Sequence, residues 1–257
     1  MLGLWGLARV PVEWQVPYIL SAAGLAAVLF AWALKEGLNG IEWVTLLVHP
    51  AVFTVGYMMF SVLLRPDWLG GGWAFVPRWL AVGAGRAVVI LAFGLCQYVL
   101  LLSSNIFSVA AIRTIALYRS ASAMAFVMTV LTGLLVYNTI LSFRLPFWQG
   151  GLWVAAASLT LLLPGLWSVN LAPSLSREVA AYGVWLSVAL GLLAIAIAFW
   201  PITTSVGSLF LTTVLYVFLG ISQHHLSQRL FARTVWEYVT VGGVVLVTML
   251  LTSGLGV

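Results

Sequence analysis

Charge is what this chain has least of. Only 7% of its 257 residues are Asp, Glu, Lys or Arg, where a soluble domain carries roughly 25%. So few charges cannot cover a water-exposed surface, and a soluble protein of this length is excluded. Lysine occurs once, as Lys35, so no late span holds a lysine for a retinal Schiff base. One aspartate, Asp67, and five glutamates leave no row of carboxylates for proton pumping. A lone cysteine, Cys96, excludes an intrachain disulfide and a multi-cysteine metal site. There is no P-loop, no GxSxG, no HExxH and no histidine pair at i, i+4 spacing. Catalytic and metal-ligating residues are therefore not assigned, and no cofactor is expected. Bis-histidine haem needs two histidines at matched depth; His49 is deep, whereas His224 and His225 lie near a span end.

What is present is hydrocarbon: 63% of the residues are hydrophobic. Lipid is the solvent that suits such a composition. A spanning helix needs about 20 mainly apolar residues, and by that ruler the chain has eight spans. They run about Val16–Leu34, Ile41–Leu64, Trp79–Leu102, Ala121–Phe143, Phe147–Leu171, Glu178–Trp200, Pro201–Ser222 and Tyr238–Val257. The expected fold is all-α, one polytopic transmembrane domain over residues 1–257. The opening MLGLWGLARVPVEWQ lacks the basic region and cleavage pattern of a signal peptide, so the first span is expected to stay. The loop RPDWLGGGWAFVP after the second span is rich in Gly, Pro and Trp and reads as irregular.

Two stretches are too polar to cross and too apolar to be free loops: about 104–119 and 223–237. Each reads as a short helix lying in the interface. Tryptophan supports the frame, because Trp14, Trp43, Trp148, Trp200 and Trp236 fall near predicted span ends, where indole prefers the headgroup level. In the sixth span Gly183, Ser187 and Gly191 recur every four residues, a spacing that lets helix backbones approach closely in lipid. Ala81 with Gly85, and Gly83 with Ala87, repeat it in the third.

The net charge of +5 serves orientation and headgroup contact in such a protein rather than nucleic-acid binding, for no soluble basic domain exists. Lys35, Arg113, Arg119, Arg177, Arg229 and Arg233 fall on odd-numbered connections, and Arg9, Arg65, Arg78 and Arg144 on the other side. The positive-inside rule leans toward odd connections in the cytoplasm. All three histidines and four of the five glutamates share the odd side.

Candidate ligand-binding residues follow from this asymmetry. On one helix His225, Arg229, Arg233 and Glu237 would fall at steps of four and form a polar stripe, able to grip a lipid phosphate with two guanidiniums. The bland alternative is a solvated interfacial helix with an Arg233–Glu237 pair. His49 precedes Pro50 about 12 Å into the second span; it lines a small cavity or braces a proline kink. Arg86 lies about 12 Å into the third span. It contacts a polar substrate, or it snorkels or pairs with Asp67 or Glu13. Pro50 and Pro164 do not match in context, unlike the paired helix breaks of many transporters.

The stretch Asn105–Trp148, with NIFSVAAIRTI, Asn138–Thr139–Ile140 and an aromatic-rich turn, resembles a pattern in multi-pass proteins of small-genome bacteria. That resemblance covers about a sixth of the chain and implies a bacterial cytoplasmic membrane, with no activity attached. Two functions stand at this point. One is an envelope accessory or scaffold protein that contacts lipid headgroups. The other is a small transporter or lipid-handling enzyme with a polar site near His49 and the 225–237 stripe. Expected partners are membrane lipids, with other membrane proteins as further candidates, and no nucleic acid.

Overall fold

The computed structural model describes residues 10–35, 42–63, 78–111, 116–172 and 174–254. Every element among them is a helix: α1 Val12–Leu34, α2 Glu42–Leu63, α3 Arg78–Ala110, α4 Tyr118–Ser142, α5 Phe147–Trp167, α6 Arg177–Ala198, α7 Thr204–Leu226 and α8 Ala232–Gly254. All eight are long and apolar enough to cross a membrane. The chain is an integral, multi-pass α-helical protein. The loop after α2, with Asp67, lies outside the described residues, as do residues 112–115 with Arg113.

Burial orders the helices. Half of the apolar stretch of α7 is buried (50%), against 6% for α8. Thus α7 is the centre of the bundle and α8 an edge helix whose outer face meets lipid. Leu211, Leu215 and Leu219 of α7 have no exposed surface and meet the equally buried Leu161, Leu162 and Leu166 of α5 in one core. The core also takes in Tyr137 of α4, Phe53 of α2 and Leu190 of α6. The exposed Trp14, Trp43, Trp148, Trp200 and Trp236 sit toward helix ends, as a headgroup belt requires, whereas the exposed Trp153 and Trp185 lie further inside α5 and α6.

The most extensive helix pair is α5 with α6. Gly183, Ser187 and Gly191 are all buried in α6, as their four-residue spacing leads one to expect. A Cβ on Gly191 would stand 2.8 Å from both the Ala155 Cβ and the Gly151 carbonyl oxygen. A Cβ on Gly151 would run into Ile195. Backbone therefore touches backbone here, the contact that replaces hydrophobic drive between helices in lipid. In α3 the Gly83–Ala87 pair has no such meaning: a Cβ on Gly83 meets nothing within 4 Å, and Ala87 is exposed; Gly85 is buried.

Among the described residues neither expected interfacial helix forms a separate element. Residues 104–110 continue α3, which at 33 residues is about 50 Å long. Their polarity is hidden, because Ser103 returns its hydroxyl to Val99 O and Ser108 to Asn105 O. Ser104, Phe107 and Ser108 are buried. Stretch 223–237 is broken in the middle. α7 ends at Leu226, Gln228 turns the chain with φ 55°, and α8 starts at Ala232. The turn is closed by Ser227 N to Gln223 O (3.0 Å), Gln228 N to His225 O (2.9 Å) and Arg229 N to His224 O (3.0 Å). Pro164 ends α5 early, at Trp167 rather than Leu171.

Gly191→Ala is expected to destabilise the folded protein by about 1–3 kcal/mol, because the α5–α6 backbones must separate. Gly83→Ala should leave stability unchanged or raise it by up to about 1 kcal/mol through helix propensity. Reversible unfolding in mixed micelles measures both, and equal effects would show that α5–α6 contact is not what the glycines provide.

Candidate functional site

His49 is buried at the middle of the fold, where α2 crosses α4. Its Nε2 lies 3.3 Å from Thr132 Oγ1. Thr132 in turn donates its single hydroxyl proton to Met128 O at 2.6 Å. The threonine oxygen can therefore only accept from the ring, so in neutral His49 the proton is on Nε2 and Nδ1 is left an acceptor. Next to it, Pro50 O accepts from Thr54 Oγ1 at 2.7 Å, and Thr54 accepts from Gln97 Nε2 of α3 at 2.7 Å. Gln97 Oε1 is buried with no hydrogen-bond partner among the described residues.

A cavity of about 20 Å³ adjoins His49, bounded among others by Thr45, Ser103, Ser104, Thr129 and Gln223. That volume holds about one water molecule. Gln223 closes it from α7 by donating from Nε2 to Gly165 O at 2.8 Å, the carbonyl that follows Pro164. Hydroxyls, one amide and one imidazole line this space, and no carboxylate or guanidinium does.

The remaining candidates lie elsewhere. His225 ends α7 with its ring edge-on to Tyr182 at 5.8 Å. Arg229 sits exposed in the α7–α8 turn, and Arg233 and Glu237 belong to the first turns of α8. The single-helix stripe is therefore not formed. What survives of it is the Arg233 Nε–Glu237 Oε1 ion pair at 3.4 Å. It is exposed and adds a few tenths of a kcal/mol at most. His224 faces Tyr238 at 5.9 Å. The cavity beside His49 stops at Gln223 and does not include His225, Arg229, Arg233 or Glu237. Arg86 is exposed on the outer surface of α3 and has no ion-pair partner among the described residues, Glu13 included.

Sequence reasoning passed over the partners that use His49. Thr132, Gln97 and Gln223 are ordinary residues until the fold brings them across from other helices. Gln97 carried a usable signal, an amide in mid-span. Thr132 carried none, since threonines in spans usually bond their own helix, as Thr139 does to Leu135 O at 2.8 Å.

No family model matches the chain, no curated protein matches its sequence, and no solved structure matches its fold.

Thr132→Val removes the acceptor for His49 and strands a buried N–H, for an expected loss of about 1–3 kcal/mol. Thr139→Val gives up only a bond within its own turn and should cost less than about 1 kcal/mol. Equal losses on unfolding in micelles would show that the His49–Thr132 bond contributes nothing. Arg86→Leu should change stability by no more than about 0.5 kcal/mol, as for an exposed residue without partners; failure to accumulate folded protein would reveal a required partner.

Proposed function

We propose that this protein is a membrane-embedded accessory or scaffold component of the bacterial envelope, held in place by its packed helices and by anionic lipid headgroups at the α7–α8 turn. The observation that carries this reading is the use made of His49. It is the one histidine deep in a span, and its Nε2 bonds α2 to α4 beside room for about one water. A substrate route would need a polar cavity continuing from His49 toward the α7–α8 turn, and the space ends at Gln223. The same observation weighs against the transporter or lipid-handling enzyme reading, whose site would need that continuation.

Lipid contact is supported by where the cations stand. Lys35, Arg119, Arg177, Arg229 and Arg233 are all exposed. The alternation of eight crossings puts them at one face of the bundle. Exposed guanidiniums at headgroup depth bind phosphate by charge-assisted hydrogen bonds and favour anionic lipids. Residence in a bacterial cytoplasmic membrane draws its support from the resemblance of Asn105–Trp148.

Arg229→Ala combined with Arg233→Ala is expected to lower the retention of phosphatidylglycerol about tenfold, relative to phosphatidylcholine, in native mass spectrometry of the detergent-extracted protein. Unchanged lipid adducts on a folded double variant would remove headgroup binding at this turn.

A further inference from the structure

A large open space lies among the described residues at the opposite end from His225 and Arg229. It is a groove of about 590 Å³ formed by the end of α4, the start of α5, the end of α6 and the start of α7. Its size falls in the range of small-molecule sites, roughly 300–1,000 Å³. The walls are mixed: Leu141, Leu145, Ile197 and Ile202 supply apolar surface, and Thr203 and Thr204 add hydroxyl-bearing side chains beside it. Arg144 is the single charged residue among the described residues that line it, and no carboxylate opposes it.

Two further observations point to an occupant. Arg144 has φ 48°, a left-handed conformation that costs an ordinary side chain free energy and that glycine would take freely. The same left-handed step follows α5 at Leu171 and α7 at Gln228; here it follows α4 and sets the backbone of the cation at the groove. Glycine also keeps the groove open. A Cβ on Gly150 would meet nothing within 4 Å, so empty space adjoins this wall residue. Phe147 lines the groove and packs against the Phe199 ring at 5.2 Å; the half-exposed Trp200 lines it too, a residue that belongs at headgroup level.

We infer that this groove binds one anionic phospholipid, its phosphate on the Arg144 guanidinium and an acyl chain along Leu141, Ile197 and Ile202. Charge complementarity selects the head, since a lone cation at the rim of an apolar slot matches a monoanion with a hydrocarbon tail. A phosphate also uses the planar fork of arginine, which a lysine cannot imitate. This site is separate from the headgroup contact proposed at Arg229 and Arg233, which lies at the other face.

The test is native mass spectrometry of the full-length chain in detergent, titrated separately with phosphatidylglycerol, phosphatidylcholine and palmitate. In the Arg229→Ala, Arg233→Ala background, which removes the α7–α8 headgroup contact, the chain should retain one phosphatidylglycerol about tenfold more than phosphatidylcholine. Arg144→Gly should abolish that preference while unfolding no more easily than wild type, because glycine relieves the left-handed strain. Gly150→Leu should lower phosphatidylglycerol retention by filling the slot, in a variant shown by its unfolding transition to stay folded; its Cβ meets nothing within 4 Å. Arg229→Ala with Arg233→Ala should leave this adduct in place, which separates its failure from that of the α7–α8 contact. Undiminished adducts in both Arg144→Gly and Gly150→Leu would overturn the inference. Palmitate retained in preference to phosphatidylglycerol would overturn it too, by naming a free fatty acid as the occupant.

Discussion

Hydrocarbon offers no hydrogen bond to a buried polar atom and no hydrophobic drive to hold one helix against another. The arrangement of this bundle follows from that pair of facts. Polar side chains reach across helices and meet there: Tyr57 OH with Val89 O, Gln97 with Thr54, His49 with Thr132, Asn138 with Ser208, and Gln223 with Gly165 O. Tyr137 OH donates to Ser158 Oγ at 2.7 Å, since the Ser158 proton goes to Val154 O. These bonds tie α2 to α3, and α4 to α2, α5 and α7. Where they are absent, small residues do the work, as at α5–α6. The edge helix α8 sits on α7 by ring packing, with Tyr238 filling the space left by Gly220 and lying 5.0 Å from Tyr216.

The same constraint decides where function can be. Each cross-helix bond consumes the polarity that a buried site would need, and a half-satisfied network would be costlier than an apolar core. His49 illustrates it. An imidazole in mid-span is a functional candidate by default, but here both the threonine it meets and the carbonyl behind that threonine are already committed. Ionised side chains therefore stand at the ends of the bundle. Lys35, Arg119, Arg177, Arg229 and Arg233 crowd one face and Arg144 marks the other.

Much of this was legible before any coordinates, and the division has a physical basis. Span number follows from apolar run length, which lipid enforces directly, and the eight helices agree with it. The α6 glycine step was legible because close packing needs small residues at one fixed spacing. Helical spacing misled at 223–237, because periodicity says which residues would share a face if the helix continued. Gln228 ends that helix with a left-handed backbone, and no glycine or proline announces it. Stretch 104–110 misled for a different reason. Serine counts as polar in sequence, yet its hydroxyl vanishes into the carbonyls of its own helix. Thr132 and the groove at Arg144 are products of helices far apart in sequence, and one chain read alone carries no signal for them.

The two ends of the bundle differ in a way that the residues explain. Toward the His49 end, Pro164 releases the backbone of α5, and the chain folds over the core: Trp167 is buried with its indole on Ala172 O at 2.8 Å, and Tyr118 OH bonds Ser168 O at 2.6 Å. Gln223 then takes Gly165 O, and the gap shrinks to about 20 Å³. Toward the Arg144 end nothing comparable fills the space. Short turns carry α4 into α5 and α6 into α7, and Gly150 and Gly207 contribute no side chain. A Cβ on Gly207 would already press on Ile202 at 3.2 Å and Leu141 at 3.3 Å, so the glycine sets how closely those walls approach. Among the described residues the core closes around His49 and opens beside Arg144. Apolar surface left exposed in such a groove is costly to hydrate, and that cost is the ground for the lipid proposed there.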